Sequence, residues 1–516
     1  MRRRQAAGTP KRSRHRPLTR HDLLRDEKRV APAPSYDRGD RLFVIGYPND
    51  YSVGMSNLGF LAVRRMVERT PGWRVERLFA SPQPTRGPLE TFESGLNPSV
   101  ANVLAFSLSS EWDAPTLARI LYRSGVGVLA KDRGDDAPFV LLGGAAASLN
   151  PEPFALLADC IAIGEAEPIL PSLLHTLSEA RGRSEAIQAL AELPHLYLPR
   201  LHPEGHTVPP SHLDDLDEAE TATDIETTRT EFGGVRLIEI SRGCPRGCRF
   251  CIVPAAHGRF RVRSVASALA LSDGAQRVGL LGAAAADHPG LVELLRELVE
   301  VCHLEVTLSA SRADALRPEA LELLARGGQR TLTLAPETVD DGLRRSIGKN
   351  VSLDRVVETA VTASQLGMST IKLYFIVGLP GAGEDEVSAI ADLAQAVASQ
   401  VRPARVAVSA GPFVPKPHTP FADEAFPDPD CTRRDLARLD RALRSSNPPI
   451  EPSMGSVRYG IMETTFARGR REMGYALAAS AGRARCNPGE WFRYLRESGI
   501  EVEPMLRGKR PSSQLL

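Results

Sequence analysis

Short apolar runs alternate with amphipathic stretches along most of the chain. Leu42–Gly46, Val103–Leu108, Phe139–Leu142 and Ile161–Gly164 are β-compatible runs, separated by helical patterns over Leu58–Glu68, Ala114–Tyr122 and Pro168–Glu179. Strands alternating with helices at this spacing predict an α/β domain with a mainly parallel sheet over residues 39–198. From Pro199 to Phe232 the periodicity fails. Prolines and dispersed histidines give way to acidic residues from Asp214 to Glu226, which predicts a linker (199–232) with room for a hairpin and with exposed loop histidines. A second series follows, with strands expected at Val235–Ile240, Val278–Leu281, Glu305–Leu308, Arg330–Leu334, Ile371–Val377 and Arg405–Ala410. Six β–α units predict a partial barrel over 233–430, with its functional loops at the carboxyl ends of the strands. On the fifth strand Lys372 and Tyr374 share one face and Ile371, Leu373, Phe375 and Val377 the other, so the polar face is expected to line the barrel. Residues 431–516 read as mostly helical and basic.

Composition narrows the class. A chain of 516 residues needs roughly two to four domains. With 42% hydrophobic and 25% charged residues it is of the globular rather than the disordered kind. No apolar run approaches the roughly 18 residues of a membrane-spanning helix. A formal net charge of +1 argues against a wholly basic nucleic-acid coat and leaves local patches open. Residues 1–38 carry one such patch, including Arg2, Arg3, Arg4, Lys11, Arg12, Arg14, Arg16 and Arg20. They are expected to form a disordered or only locally helical tail, with a nucleic acid or acidic partner as an alternative role. Its twin arginines lack the apolar run of an export signal.

The seven cysteines are unevenly placed. Cys160, Cys302, Cys431 and Cys486 are scattered, the first two in apolar settings that suit buried small hydrophobes. Cys244, Cys248 and Cys251 crowd into Ser241-Arg242-Gly243-Cys244-Pro245-Arg246-Gly247-Cys248-Arg249-Phe250-Cys251. This usage excludes a secreted disulfide framework and points to bound metal in a reducing, cytoplasmic compartment. Gly243, Pro245 and Gly247 let the backbone loop tightly, so three sulfurs can converge, and Arg242, Arg246 and Arg249 are placed to offset thiolate charge. Thiolates suit an iron–sulfur cluster or zinc. Three ligands leave one coordination position free. A structural Cys3His zinc site completed by His257, and reduced thiols without metal, are the competing readings.

The cysteine spacing, with Phe250 before the last cysteine, resembles the signature loop of the radical S-adenosylmethionine (radical SAM) enzymes. The resemblance implies a [4Fe-4S] cluster on Cys244, Cys248 and Cys251. SAM would chelate the fourth iron and be cleaved by one electron to methionine and a 5′-deoxyadenosyl radical, with flavodoxin or ferredoxin as the class of electron donor. It further implies SAM contacts from Gly282, from Ser309, Ser311 and Arg312 after the third strand, and from Glu337. The run from Ala335-Pro336-Glu337 through Leu343 and Lys349 looks like a motif of the subgroup that includes the tRNA methylthiotransferases. Glu337 as a helix N-terminal acid is the plainer alternative. Gly378-Leu379-Pro380-Gly381 resembles the family's glycine turn beside adenine, and Phe413–Pro420 the segment that closes the sixth unit. His288 suits a turn before a helix.

The region 39–198 resembles the cobalamin-binding domain that precedes the barrel in one radical SAM subclass. The similar residues are Phe106-Ser107-Leu108-Ser109, Gly143-Gly144 with Asn150-Pro151-Glu152-Pro153, and Gly164-Glu165-Ala166-Glu167. The first strand leads to Asp50–Gly59, which has no histidine where many corrinoid domains carry an axial one. The domain therefore binds cobalamin without that ligand, recognises substrate, or is structural only. Asp50–Gly59 and Ala467-Arg468-Gly469-Arg470-Arg471 are similar to an uncharacterised group of cobalamin-domain radical SAM proteins, which implies C-terminal helices capping the barrel. The function implied is SAM cleavage on an unidentified substrate, with cobalamin-linked methyl transfer as one outcome. The alternatives are a tRNA methylthiotransferase-like enzyme, with tRNA as partner, and a nonenzymatic zinc or RNA-binding module.

Overall fold

The first sheet forms where the sequence is most uniformly apolar. In a computed structural model that describes residues 18–82, 87–309, 311–483 and 487–508, strand β1 (Arg41–Tyr47) is buried at six of seven positions, as a strand covered by helices on both faces must be. With β2 (Trp73–Phe79), β3 (Val103–Ser107), β4 (Phe139–Gly143), β5 (Cys160–Ala162) and β6 (Leu196–Tyr197) it forms a sheet of order β2-β1-β3-β4-β5-β6. Every pairing except β5–β6 is parallel. The order reverses between β1 and β3, and loops leaving in opposite directions there open a crevice at the carboxyl ends of the strands.

Strand β2 is not apparent in the apolar pattern because it carries Arg74, Glu76 and Arg77. Glu76 and Arg77 are nonetheless buried. Arg77 is held by Glu27 at 2.7 Å and Glu93 at 2.6 Å, so its charge is satisfied in place. Glu27 belongs to the stretch expected to be a disordered or only locally helical tail. Residues 1–17 of that tail lie outside the described residues; from Thr19 a local helix is present and the chain after it is paired. Thr19 and Asp22 form a capping box on the helix Arg20–Asp26, and Lys28–Arg29 pairs antiparallel with Ile225–Glu226. The same pairing corrects the linker, which holds no hairpin of its own. Leu216, Ala219 and Ala222 in it are buried, and Asp224 forms a buried ion pair with Arg64 of the N-terminal domain.

The second series begins with β7 (Arg236–Glu239), β8 (Arg277–Leu281) and β9 (Glu305–Leu308), all parallel. It continues with β10 (Thr331–Glu337), β11 (Thr370–Val377), β12 (Arg405–Pro412) and β13 (Glu451–Met454), also parallel. A parallel bridge between Ser311 and Leu334 links the two sets, giving the strand order of a partial barrel. Strand β13 adds a seventh strand to the six expected; four residues with a proline carry no periodic signal, and pairing with β12 alone defines them. Along β11 the alternation is as read: Ile371, Leu373, Phe375 and Val377 are buried in the barrel core with the surrounding helices, while Lys372 and Tyr374 share the other face and are half-buried.

The C-terminal helices are divided between the barrel and the N-terminal domain. Pro429–Arg444 packs on the barrel through Leu436, Leu439 and Leu443, and Val457 and Ile461 of the helix Val457–Ala467 join the same core. From Met462 onward Phe466, Met473, Leu477, Trp491 and Leu495 join Val44, Leu104, Leu117 and Leu142 in the core of the N-terminal domain. The rings of Phe154, Phe466 and Trp491 stack at 5.9 and 4.9 Å. This face of the first sheet has one long helix from its own domain, Asp113–Arg123, so returning helices must cover the rest. Asn150 and Glu152 serve this docking: the Asn150 side-chain amide donates to the carbonyls of Phe466 at 2.9 Å and Gly469 at 3.0 Å, and Arg471 donates to Glu152 at 3.1 Å. The two motifs at 150–153 and 467–471 are therefore partners. Cys160 is fully buried, as expected, but Cys302 is exposed at the end of a helical turn, and Cys486 lies outside the described residues. Among the described residues no helix is long and apolar enough to cross a membrane.

Candidate active site

Strand β7 leads into a short ribbon, Ser241–Arg242 paired antiparallel with Arg261–Val262, and the chain between its two arms carries Cys244, Cys248 and Cys251. All three are free thiols of intermediate exposure. Burial raises the Cys248 and Cys251 thiols above the ordinary value. The Cys244 charge pushes in the same direction on both, and that of Cys248 on Cys251, so the three sulfurs lie within electrostatic reach of one another. Lys349 and Arg312 act oppositely on Cys248, as cations beside thiolates should.

The loop is held from behind. Arg249 N–H donates to the Ile347 carbonyl at 2.9 Å, and the Arg249 guanidinium sits 4.9 Å from the Phe421 ring centre. Gly348, at φ +73°, comes so close that an added Cβ would lie 2.6 Å from the Gly247 carbonyl oxygen, and its own carbonyl accepts from Cys248 Sγ at 3.7 Å. Phe250 packs with Leu343, Ile347, Leu379, Phe413 and Phe421 into an apolar wall. Two of the three arginines expected to neutralise the thiolates are engaged elsewhere. Arg242 is bound by carboxylates, and Arg246 pairs with Asp287, with Asp314 at 3.8 Å. Lys349 and Arg312, distant in sequence, supply the positive charge beside Cys248.

Two strand-end residues, Arg312 and Glu337, act electrostatically on Cys248. A register shift in β10 between Leu334 and Glu337 re-aims the last residue, as a bulge does. Glu337 takes φ +69°, a left-handed conformation that costs a non-glycine residue about 1 kcal/mol or more. Its carboxylate accepts from Lys349 Nζ at 2.9 Å. Burial raises this carboxyl, and Lys349 and Arg312 only partly oppose the rise. Glu337 is not a helix N-terminal acid, since the next helix starts at Asp341 and is capped by Asp340. Ser309 Oγ donates to the Gly282 carbonyl at 3.3 Å and Ser311 Oγ to the Ser309 carbonyl at 3.0 Å. Arg312 binds Asp314 at 2.9 Å, while its Nη1 is buried with no hydrogen-bond partner. The glycine turn has reasons of its own: Gly378 at φ +79° would meet Pro427 within 2.7 Å through a Cβ, and Gly381 has φ +90°; Pro380 lies between them. His288 is buried, with Nδ1 accepting from Gly290 N–H at 3.0 Å and Nε2 2.7 Å from the Arg263 carbonyl. It closes a turn.

Among the described residues no three His, Cys, Asp or Glu side chains gather round a single ion position. His257 Nδ1 lies 4.0 Å from Glu165 Oε1, and burial together with the Arg242 charge lowers its pKa. The Cys3His arrangement is therefore not formed. The donor set fits a cluster instead: three soft thiols, Lys349 and Arg312 as cations acting on Cys248, and a buried Arg312 Nη1 that has no hydrogen-bond partner.

A second cavity, of about 340 Å³, opens at the carboxyl ends of β1, β3 and β4, within the range of small-molecule sites. Its inner part lies between Phe43, Ile45, Ala105 and Leu141 of the sheet and Ala62, Val63, Met66 and Leu170 of the covering helices. Asn57, Ser107, Ser109, Gly143, Gly144 and Ser148 form the polar rim, and Glu165, Glu167, Arg242 and His257 bring it to the barrel. Asp113 holds the rim, accepting from Ser109 and Ser110 N–H at 3.1 Å; burial raises its carboxyl to about 7 despite these bonds.

Residues 59–199 match the family described as "Radical SAM proteins, N-terminal" and residues 238–394 the "Radical SAM superfamily". The chain is 29% identical to an uncharacterized protein of Methanocaldococcus jannaschii, over 43% of this chain and 49% of that one. It is 30% identical to the ribosomal protein uS12 methylthiotransferase RimO of Syntrophotalea carbinolica, over 29% of this chain and 36% of that one. It thus spans half or less of the length of these curated relatives. In fold it is similar to the radical S-adenosylmethionine methyltransferase TsrM of Kitasatospora setae, solved with cobalamin and a [4Fe-4S] cluster bound. The TM-score is 0.52 at 17% identity, covering 74% of this chain and 77% of that one.

Proposed function

Because the chain belongs to the radical SAM superfamily and carries the N-terminal α/β domain of its cobalamin-type members, we propose that it binds a [4Fe-4S] cluster and SAM in the barrel and a corrinoid in the N-terminal cavity. Its reaction in this reading is methyl transfer to an unactivated carbon. The observation that carries it is the convergence of Cys244, Cys248 and Cys251 with Lys349, Arg312 and Glu337 at the carboxyl ends of the barrel strands. Bound there, the cluster supplies one electron for reductive cleavage of SAM, and the corrinoid supplies a methyl carrier. The chain's own part is positioning. The three thiolates would hold the cluster, leaving one iron open to SAM. Lys349 and Arg312 offset their charge, and the unpartnered Arg312 Nη1 suits the carboxylate of SAM. Glu337, with Ser309 and Ser311, presents acceptors and hydroxyls to its amino group and ribose. The Phe250–Leu343–Phe413 wall keeps water from one side.

Support for the corrinoid is the largely apolar cavity at the strand ends, where Gly143 has open space beside it. The electron donor is of the flavodoxin or ferredoxin class. A second reading, methylthiolation, is favoured by the similarity to RimO and by the Glu337–Lys349 pair. In the test, anaerobically reconstituted full-length protein receives hydroxocobalamin, SAM and a one-electron reductant. The expected result is a corrinoid absorption spectrum that persists through gel filtration, together with 5′-deoxyadenosine. Folded protein that retains no corrinoid would remove methyl transfer from the proposal, and iron-replete protein that cleaves no SAM would remove the rest.

A further inference from the structure

We propose that Glu165 and Glu167 of the N-terminal domain are positioning residues for the cysteine loop of the barrel, so that the reacting site is assembled across both domains. The inference rests on reading that loop as a cluster site. Arg242 and Arg261 are directly opposed on the short ribbon whose connecting loop contains all three cysteines. One carboxylate grips both arms. Glu165 accepts from Arg261 at 2.7 and 2.9 Å, lies 2.9 Å from Arg242 Nη1, and accepts from Leu213 N–H at 2.7 Å. Glu167 binds Arg242 Nη2 at 2.8 Å.

Both glutamates are placed by the end of β5. Gly164 takes φ +103°, and a Cβ there would run into the backbone of Pro210 and Ser211; Glu165 N–H donates to the Ser211 carbonyl at 3.0 Å. The Glu165 carboxylate is thus carried on a fixed backbone. Arg242 is buried and stands two residues before Cys244, at most about 7 Å of extended chain. Barrel residues alone can hold the ribbon together, because Glu239 also binds Arg242 at 2.7 Å. What Glu165 and Glu167 add is the ribbon's place relative to the N-terminal domain, and with it the placement of the cysteines against Glu337, Arg312 and the cavity. Burial works against the charge on Glu165, yet the Arg261 hydrogen bonds and the Arg242 charge prevail and keep it ionised.

The test uses the full-length, reconstituted protein and the E165Q/E167Q double variant, with SAM cleavage measured across SAM concentrations. The control is Asp159→Asn. It breaks an equally buried network, Asp159 with Arg133 at 3.0 Å and Arg183 at 2.8 Å, at the opposite end of β5. The double variant is expected to keep its iron and sulfide while KM for SAM rises and the maximal cleavage rate falls, each by about tenfold, as for other residues that orient metal ligands. The Asp159→Asn variant is expected to melt earlier with KM unchanged. Wild-type KM and rate in E165Q/E167Q, or an equal change in the control, would overturn the proposal. Should the double variant fail to fold, E167Q, which leaves Glu165 on both arginines, gives the same reading as a KM increase of a few-fold; no increase overturns it. A wild-type protein that cleaves SAM beside an insensitive variant defeats this inference alone, whereas a wild-type protein that cleaves none defeats the functional reading with it.

Discussion

Cys248→Ala is expected to yield a folded protein that no longer cleaves SAM. The thiol is half-buried and outside the apolar cores, so its loss should change stability by no more than about 0.5 kcal/mol. The functional effect is far larger. Residues that merely orient a metal ligand are worth about 10–100-fold, and loss of the ligand itself should exceed that. Iron and sulfide analysis with quantitation of 5′-deoxyadenosine checks this. Cys160→Ala is the contrasting case: that thiol is fully buried in the N-terminal domain, so the protein should lose stability and keep its iron. Equal iron content and activity in Cys248→Ala and the wild type would exclude the thiol from the site.

Trp491→Ala is expected to destabilise the N-terminal domain although residue 491 lies beyond the barrel in sequence. Its side chain is fully buried and stacked on Phe466 at 4.9 Å, and removal of a buried aromatic ring costs about 3–5 kcal/mol. Denaturant unfolding followed by limited proteolysis should show residues 41–162 becoming susceptible before the barrel. Loss confined to the barrel would mean that the helix Pro488–Glu497 belongs with it after all.

The strands and helices of both α/β domains were legible because burial on both faces writes a local pattern: the expected Glu305–Leu308 coincides with the observed strand, and Ile371–Val377 differs by one residue. The cysteine loop was legible because its ligands are close in sequence. What the sequence concealed depends on partners far along the chain. Strand β2 looked polar until Glu27 and Glu93 supplied counter-charges to Arg77. Arg242 looked like a cation for the thiolates, yet Glu165 and Glu167 claim it from another domain. Their Gly164-Glu165-Ala166-Glu167 motif was visible, but not its partner. The C-terminal helices could be recognised as helices, whereas the sheet they cover could not, because an amphipathic stripe states that a face is buried and not against what. The pairing of Asn150 and Glu152 with the 467–471 motif was the available clue.

The central claim, that three thiols hold a cluster with one iron open to SAM, is tested most directly by electron paramagnetic resonance of the reduced, reconstituted full-length protein with SAM labelled with 15N at its amino group. The account predicts a cluster signal that changes on adding SAM and acquires hyperfine coupling to the labelled nitrogen. A fully loaded cluster whose signal is the same with and without SAM would contradict it.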